Sequence, residues 1–90
     1  MKLSYDPVKR ATTLAERGLD FEDAAIVLNG RQFTVEDLRF TYPERRFLTF
    51  GLLGERMLAV VWTQAADECR IISMRKANDR EQKRYRQHLG

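Results

Sequence analysis

Six consecutive apolar residues, Met57-Leu58-Ala59-Val60-Val61-Trp62, constrain this chain more than any other feature. The run is far too short to span a bilayer. It lacks the alternation of a strand with one wet face, so it reads as a central strand covered on both faces. Such a strand needs partners beside it. Arg46 to Leu52, rich in aromatic and branched residues, supplies one, with Leu53-Gly54 as the turn and Arg56 to Thr63 as the return strand. Gln64 to Asp67 forms the next turn, and Glu68 to Met74 the last strand.

Upstream, the periodicity is helical. Leu3-Ser4-Tyr5 suits a short first strand. Asp6-Pro7 then opens a helix, with Asp as N-cap and Pro at the first helical position. Val8, Ala11, Leu14 and Ala15 follow at helical spacing, and Gly18 ends the helix near Arg17. Asp20 starts a shorter helix with Phe21, Ala24, Ala25 and Leu28 as its stripe, stopped by Asn29-Gly30. Gln32 to Val35 switches to a period of two, as a strand does. Glu36 to Glu44 is polar and holds Tyr42-Pro43, which marks a loop. Asn78-Asp79-Arg80-Glu81 has capping-box spacing and opens a last helix. Only Ala77, Tyr85 and Leu89 can rest that helix on the sheet, so a wide basic face remains for water. The expected architecture is one small α+β domain over residues 1–90, in the order β-α-α-β-β-β-β-α. Its sheet is an antiparallel meander packed with helices.

Charge is unevenly distributed. Residues 1–45 hold seven basic and eight acidic side chains, and residues 46–90 hold nine and five, so the net charge passes from −1 to +4. Between Arg70 and Arg86 seven Lys/Arg stand against two acids, Asp79 and Glu81. A basic strand-to-helix junction of this kind suits an anionic partner, such as a nucleic acid or an acidic protein surface. Membrane insertion does not fit, because the apolar face of the last helix is too thin. Nothing in Met1 to Asp6 looks like an export signal. The lone Cys69 allows no intrachain disulfide and agrees with a reducing cytoplasm.

Several chemistries lack their residues. The single histidine, His88, sits near the end of the last helix and reads as a solvated tail residue, poorly suited to a catalytic triad. No His/Cys/carboxylate cluster has zinc spacing, and no glycine-rich phosphate loop follows a strand. An enzyme built from this inventory needs neither metal nor organic cofactor. What remains is a set of arginines, Arg39, Arg45, Arg46, Arg70 and Arg75, with Lys76 and with Glu44 among them. Guanidinium groups stay charged and present a planar fork that fits phosphate. They can stabilise charge growing on a phosphate while Glu44 takes a proton from a ribose 2′-hydroxyl or orients the arginines. The plainer alternative pairs these arginines with Glu36, Asp37, Glu44 and Glu68 on the surface. Strict alternation puts Arg70, Ile72 and Met74 on one face of the last strand and Ile71, Ser73 and Arg75 on the other. Tyr42 and Tyr85 either stack on bases or pack as structural rings. Trp62 and Cys69 read as core.

These residues resemble a known family, the BrnT toxins of bacterial type II toxin–antitoxin systems. The resemblance runs from Tyr5 to Tyr85. It is carried by Tyr5-Asp6-Pro7 with Lys9, Arg17-Gly18, Phe21 to Ala25, Glu44-Arg45-Arg46-Phe47, Gly51 and Val60 to Thr63. Its most specific part is Arg70 to Ala77, followed by Arg80-Glu81 and Arg84-Tyr85. Three positions depart from the family pattern, which often has Asn at Thr13, His at Arg17 and Ala at Met74. The resemblance implies a RelE-like fold and an endoribonuclease that arrests translation. It also implies a BrnA-like antitoxin partner whose ribbon-helix-helix domain binds operator DNA, so that the toxin meets DNA only indirectly in a hetero-oligomer. Under it, Glu44, Arg46, Arg70 and Arg75 become the expected catalytic residues. Arg39, Lys76, Arg80, Lys83, Arg84 and Tyr85 become the expected contacts to RNA or antitoxin. The alternative is a non-catalytic binding module, a toxin relative kept as a corepressor.

Overall fold

Asp6 sets the first boundary. In the computed structural model, which describes residues 2–89, its carboxylate accepts the Val8 N–H at 2.9 Å. This cap separates strand β1 (Lys2–Tyr5) from helix α1 (Pro7–Arg17). Gly18 closes α1 in the left-handed region at φ 68°, its N–H donating to the Leu14 carbonyl at 3.0 Å. The second helix begins differently from the expectation. Asp20 caps a single 3₁₀ turn, Phe21–Asp23, and only then does α2 (Ala24–Asn29) follow. Four strands come next: β2 (Gln32–Glu36), β3 (Phe47–Leu53), β4 (Arg56–Ala65) and β5 (Glu68–Lys76). The chain then enters α3 (Asp79–Tyr85) and a 3₁₀ turn, Arg86–His88. No helix among these is long and apolar enough to cross a membrane.

The five strands form one sheet in the order β1-β5-β4-β3-β2. Strands β2 to β5 pair antiparallel through short connections. The first strand departs from the expected meander. It pairs parallel with β5, Lys2 opposite Glu68 and Tyr5 opposite Ile71, so the sheet is mixed. The physical reason is the connection that follows it. Two helices separate β1 from β2, and a helical crossover frees a strand to join a distant edge in parallel.

The apolar run lies near the middle of the sheet and is buried on both faces. Leu58 and Val60 join Leu19, Phe21, Ala24, Val27, Ile71 and Met74 beneath α2. Met57 and Ala59 join Phe50, Ala77 and Leu89 on the opposite face, beneath Tyr85. The three residues expected to seat the last helix, Ala77, Tyr85 and Leu89, are the ones that do. Asn78 and Glu81 form a full capping box at its start. Tyr85 stacks on Phe50 with ring centroids 4.3 Å apart, and His88 stacks on Phe33 at 4.4 Å. His88 is exposed, in keeping with its reading as a solvated tail residue, and is also held by an aromatic neighbour.

Helix α1 buries none of its residues fully. It runs beside the edge of β5 where β1 stops, and Arg17 Nη1 donates to the Met74 carbonyl at 2.9 Å. Arg17 of α1 and Met74 of β5 therefore meet. Arg17 closes an open sheet edge, and the Met74 side chain fills the core.

Candidate active site

An irregularity in β5 builds the site. Val61 pairs with Ser73 and Trp62 pairs with Ile71, which leaves Ile72 without a cross-strand partner. One extra residue reverses the alternation on either side of it. Strict alternation sends Arg70 and Arg75 to opposite faces. The observed register sets Arg70 opposite Thr63 and Arg75 opposite Ala59. Thr63 and Ala59 share a face of β4, so Arg70, Ser73 and Arg75 share a face of β5. Met74 turns instead with Ile71 into the core beneath α2. The bulge thus gathers on one face two arginines that simple counting separates.

The polar segment between β2 and β3 is pinned rather than loose. Asp37 is its hub, with only 2% of its side chain exposed. It accepts Arg39 Nε and Nη2 at 2.9 and 2.8 Å and the Tyr42 hydroxyl at 3.1 Å. The Arg39 hydrogen bonds, with smaller help from the Arg39 N–H and Tyr42, hold the Asp37 carboxyl well below the ordinary carboxylate range. Arg46 lies 4.3 Å from the centre of the Tyr42 ring, and its Nε donates to Glu44 Oε1 at 3.0 Å. Thr63 Oγ1 on β4 donates to the Arg45 carbonyl at 2.6 Å, which ties this segment to the sheet.

Between these elements lies a cleft of about 380 Å³. Glu44 and Arg46 line one side, Thr63 and Arg70 the floor, and Asp6 and Lys9 from the start of α1 the other side. Three of the four expected catalytic residues therefore meet. Arg70 is exposed and forms no salt bridge among the described residues. Arg75 stands apart from the cleft. Its two terminal nitrogens donate to Glu81 at 2.7 and 2.9 Å, and these bonds lower the Glu81 carboxyl below its ordinary range.

The remaining expected contacts divide into two groups. Arg39 is committed to Asp37, and Tyr85 is packed between Phe50 and Phe33. Lys76, Arg80, Lys83 and Arg84 are exposed and form no salt bridges among the described residues. The surface pairing weighed from sequence is found for Arg45 with Glu36, Arg39 with Asp37 and Arg46 with Glu44. It does not reach Arg70. Cys69 is buried, and burial pushes its thiol up, away from the reactive thiolate. No group of three or more His, Cys, Asp or Glu able to hold a metal occurs among the described residues.

Sequence reasoning did not place Asp6, Lys9 or Thr63 in the cleft, and it offered Asp37 only as a surface partner of the arginines, not as the buried hub of the loop. Asp6 carried a signal as a helix cap, and both Asp6 and Lys9 belong to the segment that carries the family resemblance. Asp37 sat in a polar stretch whose short Asp-x-Arg spacing permits the fork that forms.

A small α+β domain with a guanidinium-lined cleft and a carboxylate on its rim is equipped to hold and act on an anionic group. Residues 5–81 match the family model described as the ribonuclease toxin, BrnT, of type II toxin-antitoxin systems. The match covers most of the chain, and the chain belongs to this family. No curated protein matches it.

Proposed function

We propose that residues 1–90 form one RelE-like toxin domain, a metal-independent endoribonuclease that arrests translation by cutting RNA. Its setting is the cytoplasm. Its partner is a BrnA-like antitoxin with a ribbon-helix-helix domain, which masks the toxin in a hetero-oligomer and carries it to operator DNA. The observation that supports this most is the exposed Arg70 beside Arg46 and Glu44 in one cleft.

In this reading the scissile phosphate rests against Arg70 and Arg46. Their guanidinium groups supply positive charge where the pentacovalent phosphorane gains negative charge, the task a metal performs elsewhere. Glu44 takes the proton from the ribose 2′-hydroxyl, its other oxygen being occupied by Arg46. Arg75 serves a different phosphate. Its partner Ala59 lies four residues along β4 from Thr63, or about 13 Å at a strand's rise. Lys76, Arg80, Lys83 and Arg84 grip the RNA backbone and form part of the surface the antitoxin covers. Arg39 and Tyr85 support this surface by fixing the loop and α3.

Purified, antitoxin-free protein should cleave RNA with EDTA present and leave 2′,3′-cyclic phosphate and 5′-hydroxyl ends. RNA that stays intact under these conditions, with cells that grow normally when the protein is expressed, would overturn the proposal.

A further inference from the structure

We infer that Lys9 is the general acid of this cleft, returning a proton to the departing 5′-oxygen of the cleaved RNA. This rests on the ribonuclease reading above and completes it. Cleavage by a 2′-hydroxyl needs two proton movements, and Glu44 accounts for only one.

Few of the cleft residues have a proton to give. A guanidinium does not deprotonate in a protein, so Arg46 and Arg70 stabilise charge but cannot act as acids. The Asp6 carboxylate is the acceptor that caps α1 through the Val8 N–H. Thr63 spends its hydroxyl proton on the Arg45 carbonyl. Lys9 is the one ammonium group among the residues lining the cleft, and it is exposed there.

Topology sets Lys9 and Glu44 on opposite sides of the cleft. Glu44 precedes β3, and Lys9 follows β1 by one helical turn. Strand order sets β5 and β4 between those two walls. Three strand spacings separate β1 from β3, about 14 Å of backbone, which a lysine and a glutamate reach into from opposite sides. Arg70 and Thr63, cross-strand partners, form the floor between them. In-line displacement at phosphorus needs this layout, with the base beside the attacking oxygen and the acid beside the leaving oxygen across the phosphate. The Asp6 cap also fixes the first turn of α1, so Lys9 is carried by a stationed element rather than a loop.

The step balances. The 2′-oxygen forms a bond to phosphorus as its proton passes to Glu44. The bond from phosphorus to the 5′-oxygen breaks as that oxygen takes a proton from Lys9 Nζ. The products are a cyclic phosphate and a 5′-hydroxyl, and exchange with water restores both side chains.

The test uses an oligoribonucleotide spanning a site that the wild-type protein cuts, and the same oligonucleotide with sulfur replacing the 5′-bridging oxygen. A sulfur leaving group departs without being protonated. Lys9→Ala should cut the ordinary substrate about 10²- to 10⁴-fold more slowly, the usual contribution of general acid catalysis. It should cut the sulfur substrate at close to the wild-type rate. Lys9→Arg, which keeps the charge but not the labile proton, should behave as Lys9→Ala does. Arg70→Ala should be slow on both substrates. Full activity of Lys9→Arg, or an equal defect of Lys9→Ala on the two substrates, overturns the assignment and leaves the ribonuclease reading standing. A wild-type protein that cuts no RNA, so that no such site can be found, overturns both.

Discussion

Arg70, Arg75 and Arg39 carry the same side chain in three different states. Arg70 forms no salt bridge among the described residues, Arg75 is forked to Glu81, and Arg39 is forked to the buried Asp37. Free charge is what a substrate phosphate can use, whereas a paired guanidinium holds structure together. Asp37 shows the structural use most clearly. Its folded-state value lies below the unfolded carboxylate value of about 3.9. Its stabilisation is therefore fully present above that value and is lost as pH falls through the folded one. Asp20, lowered chiefly by Arg10, and Glu81, lowered chiefly by Arg75, act in the same direction. The melting temperature should stay level from about pH 7 to 5 and fall below about pH 4. Asp37→Asn should cost about 1–2 kcal/mol at pH 7, because Arg39 itself is 62% exposed and screened, and should make the acid fall shallower. Melting curves of both proteins from pH 2 to 7 check this, and a profile that the substitution leaves unchanged would contradict it.

At the scale of elements, α2 packs closely against β3 at Gly51. A Cβ on Gly51 would lie 2.7 Å from Val27 Cγ1 and 3.1 Å from the Val27 carbonyl oxygen. The side chain can turn but the backbone cannot yield without moving the helix. Gly51→Ala should destabilise by about 1–3 kcal/mol, read from the urea midpoint. An unchanged midpoint would mean that α2 is not seated as described. Elements whose signals are local were legible in the sequence. The Asp6-Pro7 start, the Gly18 stop, the β3–β4 hairpin and the three residues seating α3 all follow from caps, turns and periods. The parallel place of β1 was not legible, because pairing across the whole chain leaves no mark in a four-residue strand. The bulge at Ile72 was equally hidden. An apolar residue there satisfies either phase of the alternation, so only the neighbouring register reveals the slip. That single hidden residue decides which arginines share a face.

Over the whole molecule, positive charge gathers in the second half of the chain, but the cleft is not made there alone. It draws Asp6 and Lys9 from the N-terminal segment, Glu44 and Arg46 from the middle, and Arg70 from the last strand. The charge count therefore located the basic surface, while the fold was needed to assemble the site. The basic helix that dominates the sequence by charge lies outside this cleft. The central claim is that Arg70 acts in RNA cleavage and not in holding the fold. The most direct measurement is the RNA cleavage rate of Arg70→Ala with EDTA present, alongside its melting temperature. The rate should fall at least about 10²-fold below wild type, with stability changed by no more than about 0.5 kcal/mol, as for an exposed, unpaired side chain. A folded Arg70→Ala that cuts RNA at the wild-type rate would contradict that claim.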